Sequence, residues 1–188
     1  VIDKNICLKE KKIILYPGKF QKKKRPMFLM QAFIESKINN DWILVMVGGG
    51  GYYHNQVLEY INKKRPKNIF YLGFKDLKEI SVFYDLSEIV VLPSDYGETN
   101  GNVLLEASQF NCSLITSDRV GAHPEVISNN TGLVFDASNI NGGLSFVGTP
   151  KANGFKPTNF SLLNVGTTPT PPPVVANPIM FSSTAIFA

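Results

Sequence analysis

The chain has 188 residues, of which 44% are hydrophobic and 18% charged, and its formal net charge is +4. These values predict a soluble globular domain, with room for a core and one appendage. They argue against a membrane protein, because no apolar run approaches the roughly 20 residues that a membrane helix needs. The first residues, VIDKNICLKEKK, are too charged for a signal peptide, and their start without Met fits a piece of a longer chain.

The basic residues are concentrated near the N-terminus. Residues 1–25 contain nine Lys or Arg and two acids, with KKKR at 22–25. Such a cluster can bind phosphate, nucleic acid or a membrane surface. A solvated loop is the commoner interpretation of this pattern, and we expect Lys22, Lys23 and Arg25 to face solvent.

Short apolar runs alternate with helical periodicity through the first 136 residues. In chain order, the predicted strands are IILY (13–16), WILVMV (42–47), IFYLGF (69–74), IVVLPS (89–94), SLITS (113–117) and TGLVF (131–135). The first predicted helix begins around Pro26. The others cover His54 to Lys64, residues 77–87, about Gly101 to Phe110, and a short stretch through PEVI.

This alternation predicts an α/β fold with a doubly wound parallel sheet, and the fully apolar strand at 42–47 is typical of a sheet covered on both faces. Ligands of such sheets collect at the carboxyl ends of the strands. The segment at 77–87 is predicted to be a helix because Leu77, Ile80, Phe83 and Tyr84 recur at helical spacing.

The character of the chain changes near residue 137. Residues 137–188 hold seven of the twelve prolines and no acidic residue, and PTPPP favours polyproline II. We therefore divide the chain into a domain at 1–136 and an irregular appendage of unknown role at 137–188. Cys7 and Cys112 are far apart without CxxC spacing, so they predict neither a disulfide framework nor a metal site, and a cytoplasmic setting is the default.

Three groups of residues fall at predicted strand ends, and each has an ordinary alternative. The glycines at 48–51 allow close approach of a ligand, or form a mere strand-to-helix loop. Lys19 and Lys24 could compensate a diphosphate, or be solvated. Glu98 and Glu106, in YGETNGNVLLEA, could meet in one cleft and hold sugar hydroxyls, or be surface acids.

Taken in order, these segments resemble the donor-binding, C-terminal half of retaining GT-B glycosyltransferases of the family 4 type. SDYGETNGNVLLEASQFNCSLITSDRVGAHPEVI carries the mark of that family, a Glu, seven residues and a second Glu, followed by a strand and a loop of the type SD-x-GG-x-PE. YPGKFQKKKRP, VMVGGG, FYLGF and VVLPSDYGE match earlier family segments, so that the resemblance covers about residues 13–136.

The resemblance implies a Rossmann-like domain that binds a nucleotide diphosphate-sugar, from which the enzyme transfers the sugar to an acceptor with retention and without a metal or other cofactor. It implies that Glu98 lies near the transferred sugar as the catalytic carboxylate and that Glu106 binds the ribose. The other implied donor-binding residues are Lys19, Lys24, Gly73, Phe74, Gly101, Asn102 and Val103.

The chain departs from the family at two matched points. Lys19 replaces the commoner Arg, and QFNCS at 109–113 replaces a segment that often reads ACG-[LK]-P, where Asn111 could adopt a left-handed conformation. We also expect the acceptor domain to be missing, so that the isolated chain should be inactive. The acceptor, a glycan, lipid or small molecule, is not indicated, and the inner face of a membrane is an alternative location.

Two other functions stay open. One is a sugar-nucleotide epimerase-like protein of the same fold. The other is a non-catalytic interaction module that uses the basic segment or the Pro-rich tail. No nucleic-acid partner is expected, because the basic stretch lacks the interleaved aromatic residues of RNA-binding segments.

Overall fold

A computed structural model describes residues 11–36, 41–128 and 130–138. Its six strands are β1 (Lys12–Gly18), β2 (Trp42–Gly48), β3 (Ile69–Tyr71), β4 (Ile89–Leu92), β5 (Ser113–Ser117) and β6 (Gly132–Phe135). Its helices are α1 (Pro26–Glu35), α2 (His54–Lys64), α3 (Leu77–Leu86), α4 (Asn102–Ala107) and α5 (His123–Val126). Cys7 and almost all of the predicted appendage lie outside the described residues.

The strands form one parallel sheet in the order β3-β2-β1-β4-β5-β6. The chain builds outward from β1 to β3, and then returns to the other side of β1 with β4. The direction of winding therefore reverses between β1 and β4, and this switch point is where open α/β sheets leave a crevice for a ligand. The predicted doubly wound α/β fold is confirmed.

The core lies on both faces of the sheet. Along β1, Ile14 and Tyr16 pack into the cluster on one face, whereas Ile13 and Leu15 pack into the cluster on the other. Successive side chains of a strand point to opposite faces, so a strand covered on both sides must be apolar throughout. The continuous apolar runs of the sequence are explained by this arrangement.

Two elements are shorter than the sequence predicts. β3 ends at Tyr71 rather than at residue 74, since its ladder with β2 extends only from Ile69 to Tyr71, and Gly73 then adopts a left-handed φ of 73°. α4 ends at Ala107 rather than at Phe110, whose N–H donates three residues back, to Ala107, in a tighter turn.

The apolar residues of α3 differ in their burial. Leu77, the first residue of the helix, is 71% exposed, whereas Ile80, Phe83 and Tyr84 are buried. In the described part of the chain, no helix combines the length and apolar character needed to cross a membrane.

Candidate functional site

An ion pair joins two loops at the switch point of the sheet. Lys24 belongs to the loop after β1, and Glu98 belongs to the loop after β4. Nζ of Lys24 lies 3.0 Å from Oε2 of Glu98, and both side chains are largely buried, with exposed fractions of 13% and 14%. The structure thus brings Lys24, which is predicted to bind the diphosphate, into direct contact with Glu98, the predicted catalytic carboxylate.

The neighbouring basic residues also contact the loop after β4. Lys23 donates a hydrogen bond from Nζ to the carbonyl oxygen of Gly97 at 2.8 Å, and its Nζ is 3.9 Å from Glu98. Arg25 pairs with Asp95 at 2.5 Å, and the Asp95 N–H donates to the carbonyl oxygen of Lys23. The expectation of a solvent-facing side chain is wrong for Arg25, which is 19% exposed because Asp95 lies opposite it, whereas Lys23 stays 33% exposed while it contacts this loop.

Lys22 behaves differently from its neighbours. It is exposed, as predicted, and its Nζ lies 4.0 Å from the ring centroid of Tyr52. This cation–π contact is at the surface, where it stabilises by about 0.5–1 kcal/mol.

Three buried polar atoms at this place lack a hydrogen-bond partner among the described residues. They are Nη1 of Arg25, Oγ of Ser94 and Oε2 of Glu98, and within the described ranges they are the whole set of such side-chain atoms. Oε2 of Glu98 therefore has an ion pair but no well-aligned hydrogen bond. Buried polar groups are satisfied in most native structures, so their concentration at one crevice is typical of a site that receives a polar ligand.

Backbone contacts hold the loop that carries Glu98. Glu98 forms an isolated parallel bridge with Val120, and its carbonyl oxygen accepts a hydrogen bond from the N–H of Gly121 at 2.9 Å. A Cβ atom on Gly121 would lie 1.8 Å from the carbonyl oxygen of Thr99. Position 121 therefore requires glycine, because the loop that carries Glu98 and Thr99 comes too close for a side chain there.

Tyr16 holds the loop after β1 from below. Its hydroxyl donates to the carbonyl oxygen of Lys19 at 3.0 Å and lies 3.4 Å from that of Lys24. The ring is fully buried. Burial, followed by the charge of Glu98, raises the pKa of Tyr16, so that the hydroxyl keeps its proton and remains a donor.

The glycine run at 48–51 is explained mainly by packing of the protein on itself. A Cβ on Gly48 would lie 2.3 Å from the carbonyl oxygen of Gly18, and the φ of Gly48 is +119°. Phe20 and Gly50 are joined by a backbone hydrogen bond of 2.9 Å. The glycines therefore let the loops after β1 and β2 approach each other closely. This agrees with the interpretation of residues 48–51 as a strand-to-helix loop.

The other predicted donor-binding residues lie at the same edge of the sheet. Lys19 is exposed in the loop after β1, and Phe74 is 81% exposed just beyond β3. The carbonyl oxygen of Gly73 accepts a hydrogen bond from the Gly48 N–H, which ties this segment to the end of β2.

α4 starts where the sequence predicts. Gly101 is its N-cap with a φ of 65°, Asn102 is exposed, and Val103 is partly buried against the core. Glu106 is partly buried in the same helix, where its Oε2 accepts a hydrogen bond of 2.9 Å from the hydroxyl of Tyr84 in α3. Neither Glu98 nor Glu106 is therefore a solvated surface acid. Glu98 pairs with Lys24, whereas Glu106 accepts from Tyr84.

Sequence reasoning missed several of these contacts. Tyr84 is recognisable in the sequence only as a core position of α3, and Tyr16 only as part of an apolar strand. Asp95 lies in the loop after β4, and the sequence allows it to pair with the basic loop after β1, since both loops are predicted at one edge of the sheet. Asn111, by contrast, does not adopt a positive φ, which within the described residues occurs outside glycine only at Arg25 and Arg65.

Most of the chain matches one protein family. Residues 2–142, about three quarters of the chain, match the family model described as "Glycosyl transferases group 1". The chain belongs to this family. The narrower resemblance to the family 4 type stays a prediction.

One relative carries the name of the activity: putative glycosyltransferase YtcC of Bacillus subtilis (strain 168) is 26% identical over 144 residues, which are 72% of this chain and 35% of that protein. Spore coat protein SA of Bacillus subtilis (strain 168) is 29% identical over 124 residues, which are 62% of this chain and 33% of that protein. The chain spans about a third of the length of the curated relatives that it matches.

Solved structures of glycosyltransferases share the fold of this group 1 domain. HepE of Anabaena, in complex with UDP and glucose, aligns with a TM-score of 0.59 at 16% identity, over 69% of this chain and 35% of HepE. The C-terminal domain of LpcC from Francisella tularensis, a glycosyl transferase group 1 family protein, aligns with a TM-score of 0.57 at 24% identity, over 69% of this chain and 71% of that one.

Proposed function

We propose that this chain is the donor-binding part of a retaining glycosyltransferase of the family 4 type, which takes a sugar from a nucleotide diphosphate-sugar. The observation that carries the proposal is the contact between Lys24 and Glu98 at the switch point of the sheet. There, Lys24 and Glu98 form a largely buried ion pair, and the unpartnered polar atoms of the described residues are concentrated. Membership of the group 1 family and the likeness in fold to HepE, whose structure contains UDP and glucose, support the same ligand.

The charges of the crevice suit the two ends of such a donor. A diphosphate needs one or two cations, and Lys24 is held in place at the crevice with Lys19 exposed beside it. A carboxylate accepts hydrogen bonds from sugar hydroxyls, and Glu98 lies next to Lys24, where a sugar attached to the diphosphate would lie. The ion pair compensates both charges.

In the proposed reaction the bond between the anomeric carbon and the diphosphate breaks, and its electron pair leaves with the nucleoside diphosphate. A bond forms from the same face to an acceptor hydroxyl, whose proton passes to the departing phosphate oxygen. Lys24 would stabilise the charge that grows on that oxygen, and Glu98 the positive charge on the sugar. Glu106 would hold the ribose hydroxyls, while Gly73 and Phe74 border the base, and Gly101, Asn102 and Val103 border the phosphate or sugar.

The acceptor site, the absence of a metal and the location of the protein also belong to the proposal. An acceptor site on a separate domain fits the fact that the chain covers about a third of each curated relative. Transfer without a metal, a cytoplasmic location and contact of the basic segment with a membrane surface stay predictions. Within the described residues, no three His, Cys, Asp or Glu side chains are grouped as a metal site.

The proposal is tested by isothermal titration of the chain with UDP, GDP and ADP. We expect one of these nucleotides to bind, with a dissociation constant of about 10 µM to 1 mM, since the titrated chain covers only about a third of each curated relative. Addition of EDTA should leave the affinity unchanged. If none of the three nucleotides binds at high protein concentration, the proposed function is wrong.

A further inference from the structure

Tyr84 makes a specific contact that the proposed function does not require. Its hydroxyl lies 2.9 Å from Oε2 of Glu106, and the two residues belong to different helices, α3 and α4. Both helices begin at the carboxyl edge of the sheet, since each follows a strand in a parallel arrangement. Side chains of a helix tilt toward its N-terminus, so Tyr84 and Glu106 both lean toward the edge where the crevice lies.

The ring of Tyr84 is held rigidly. It is 2% exposed, belongs to the core cluster on its face of the sheet, and lies 5.5 Å from the ring of Phe110, centroid to centroid. The start of α3 is also fixed, because Asp76 and Glu79 form a reciprocal capping box. A hydroxyl on such a ring has little freedom to follow a moving partner.

Glu106 is the more mobile partner by its chemistry. A glutamate has three rotatable side-chain bonds, and this one is only partly buried. The hydrogen bond to Tyr84 engages Oε2, whereas Oε1 makes no hydrogen bond to any of the described residues and keeps its capacity to accept one. Burial, and then the charge of Glu106, raise the pKa of Tyr84, so the phenol stays protonated and continues to donate.

We propose that Tyr84 is a positioning residue, which orients the carboxylate of Glu106 so that its free oxygen accepts from the ribose hydroxyls of the donor. This inference rests on the proposed function, because it requires that Glu106 bind the ribose. Tyr84 itself would not touch the donor. Its effect should therefore appear as a preference for nucleotides that carry ribose hydroxyls.

The experiment compares two probes on the full chain by isothermal titration. The first is whichever of UDP, GDP and ADP binds tightest, and the second is its 2′,3′-dideoxy counterpart. We expect the wild-type chain to prefer the ribonucleotide by at least about 10-fold, the lower value for one hydrogen bond to a charged group. Tyr84→Phe should reduce this preference to about 3-fold or less, and should leave the affinity for the dideoxynucleotide unchanged.

Two further variants separate positioning from general packing. Tyr60→Phe, which removes a hydroxyl from the partly buried Tyr60 of α2, should keep the full preference. Glu106→Gln should lose most of the preference, and adding Tyr84→Phe to it should cause no further loss, since Tyr84 acts through the carboxylate. This comparison also remains informative if the single Tyr84 variant is less stable.

The outcomes are distinct for the two claims. Full preference in Tyr84→Phe, with loss in Glu106→Gln, overturns the role of Tyr84 and leaves the proposed function intact. A nucleotide that binds wild type with no preference for the ribose hydroxyls overturns the ribose role of Glu106, and with it that of Tyr84. Absence of binding by all three nucleotides overturns the proposed function itself and the inference that rests on it.

Discussion

Nζ of Lys24 and Oε2 of Glu98 lie 3.0 Å apart, and this contact joins the loops that follow the two strands on either side of the switch point. The ion pair is largely shielded from water, which strengthens its Coulomb interaction but makes either charge costly to leave alone. A donor diphosphate would compete with Glu98 for Lys24. The pair thus holds the ammonium group of Lys24 in a defined position at the switch point.

The first prediction concerns Lys24. Lys24→Met should weaken binding of the nucleoside diphosphate by about 10-fold, because one cation at the phosphate position is lost, and should weaken the nucleoside itself by less than about 2-fold. Lys64→Met, which removes an exposed charge from α2, is the matched control and should change neither affinity. Isothermal titration at two salt concentrations measures both. Equal weakening of nucleotide and nucleoside would show that Lys24 does not bind phosphate.

The second prediction concerns Glu98. Glu98→Gln should tighten binding of the free nucleoside diphosphate by about 3-fold, because the negative charge beside the phosphates disappears and Lys24 is released. Titration measures the change, with Glu59→Gln as the control at an exposed glutamate of α2. Weaker binding of the free diphosphate by Glu98→Gln would mean that this carboxylate contacts the nucleotide part rather than the sugar.

The third prediction concerns the glycine that receives the Glu98 loop. Gly121→Ala should lower the free energy of unfolding by about 2–4 kcal/mol, because its Cβ would lie 1.8 Å from the carbonyl oxygen of Thr99. Gly50→Ala should cost only about 1–2 kcal/mol, since its φ of +65° is strained for alanine but nothing lies within 4 Å of the added atom. Urea denaturation of both variants tests this order. A larger loss for Gly50→Ala would contradict the loop contact.

The fourth prediction concerns pH and Cys112. Burial raises the pKa of the Cys112 thiol from 9.0 to about 11, and the thiol donates to the carbonyl oxygen of Ala107. Below pH 9 the thiol is protonated in the folded and unfolded chains. Between pH 9 and 11 only the unfolded chain ionises, so stability falls as pH rises, by about 1–2 kcal/mol after allowance for partial exposure.

Denaturation at several alkaline pH values tests this prediction. Cys112→Ala should show a shallower fall in stability between pH 9 and 11 than the parent chain. In a Cys7→Ser background, iodoacetamide at pH 8 should modify the unfolded chain at least about 10-fold faster than the folded one. Parallel pH curves for Cys112→Ala and its parent would rule out the raised pKa.

The sequence by itself determined the fold and the edge at which the site lies. Its apolar runs and helical spacings predicted β5 at 113–117 and α2 at His54–Lys64 with the bounds that the structure has. These patterns are local, because burial on two faces requires unbroken apolar strands and a helix requires its own periodicity. Parallel strands then bring their carboxyl ends, and the residues that follow them, to one edge.

Only the tertiary structure decided which of those residues meet. The reversal of winding between β1 and β4 sets Lys24 against Glu98 and Arg25 against Asp95, and no periodicity encodes pairs that are some 70 residues apart in the chain. Likewise, Tyr84 is an ordinary core residue by its spacing, and the packing of α3 beside α4 places its hydroxyl on Glu106. Such contacts depend on the relative placement of whole elements, which local patterns of residues do not specify.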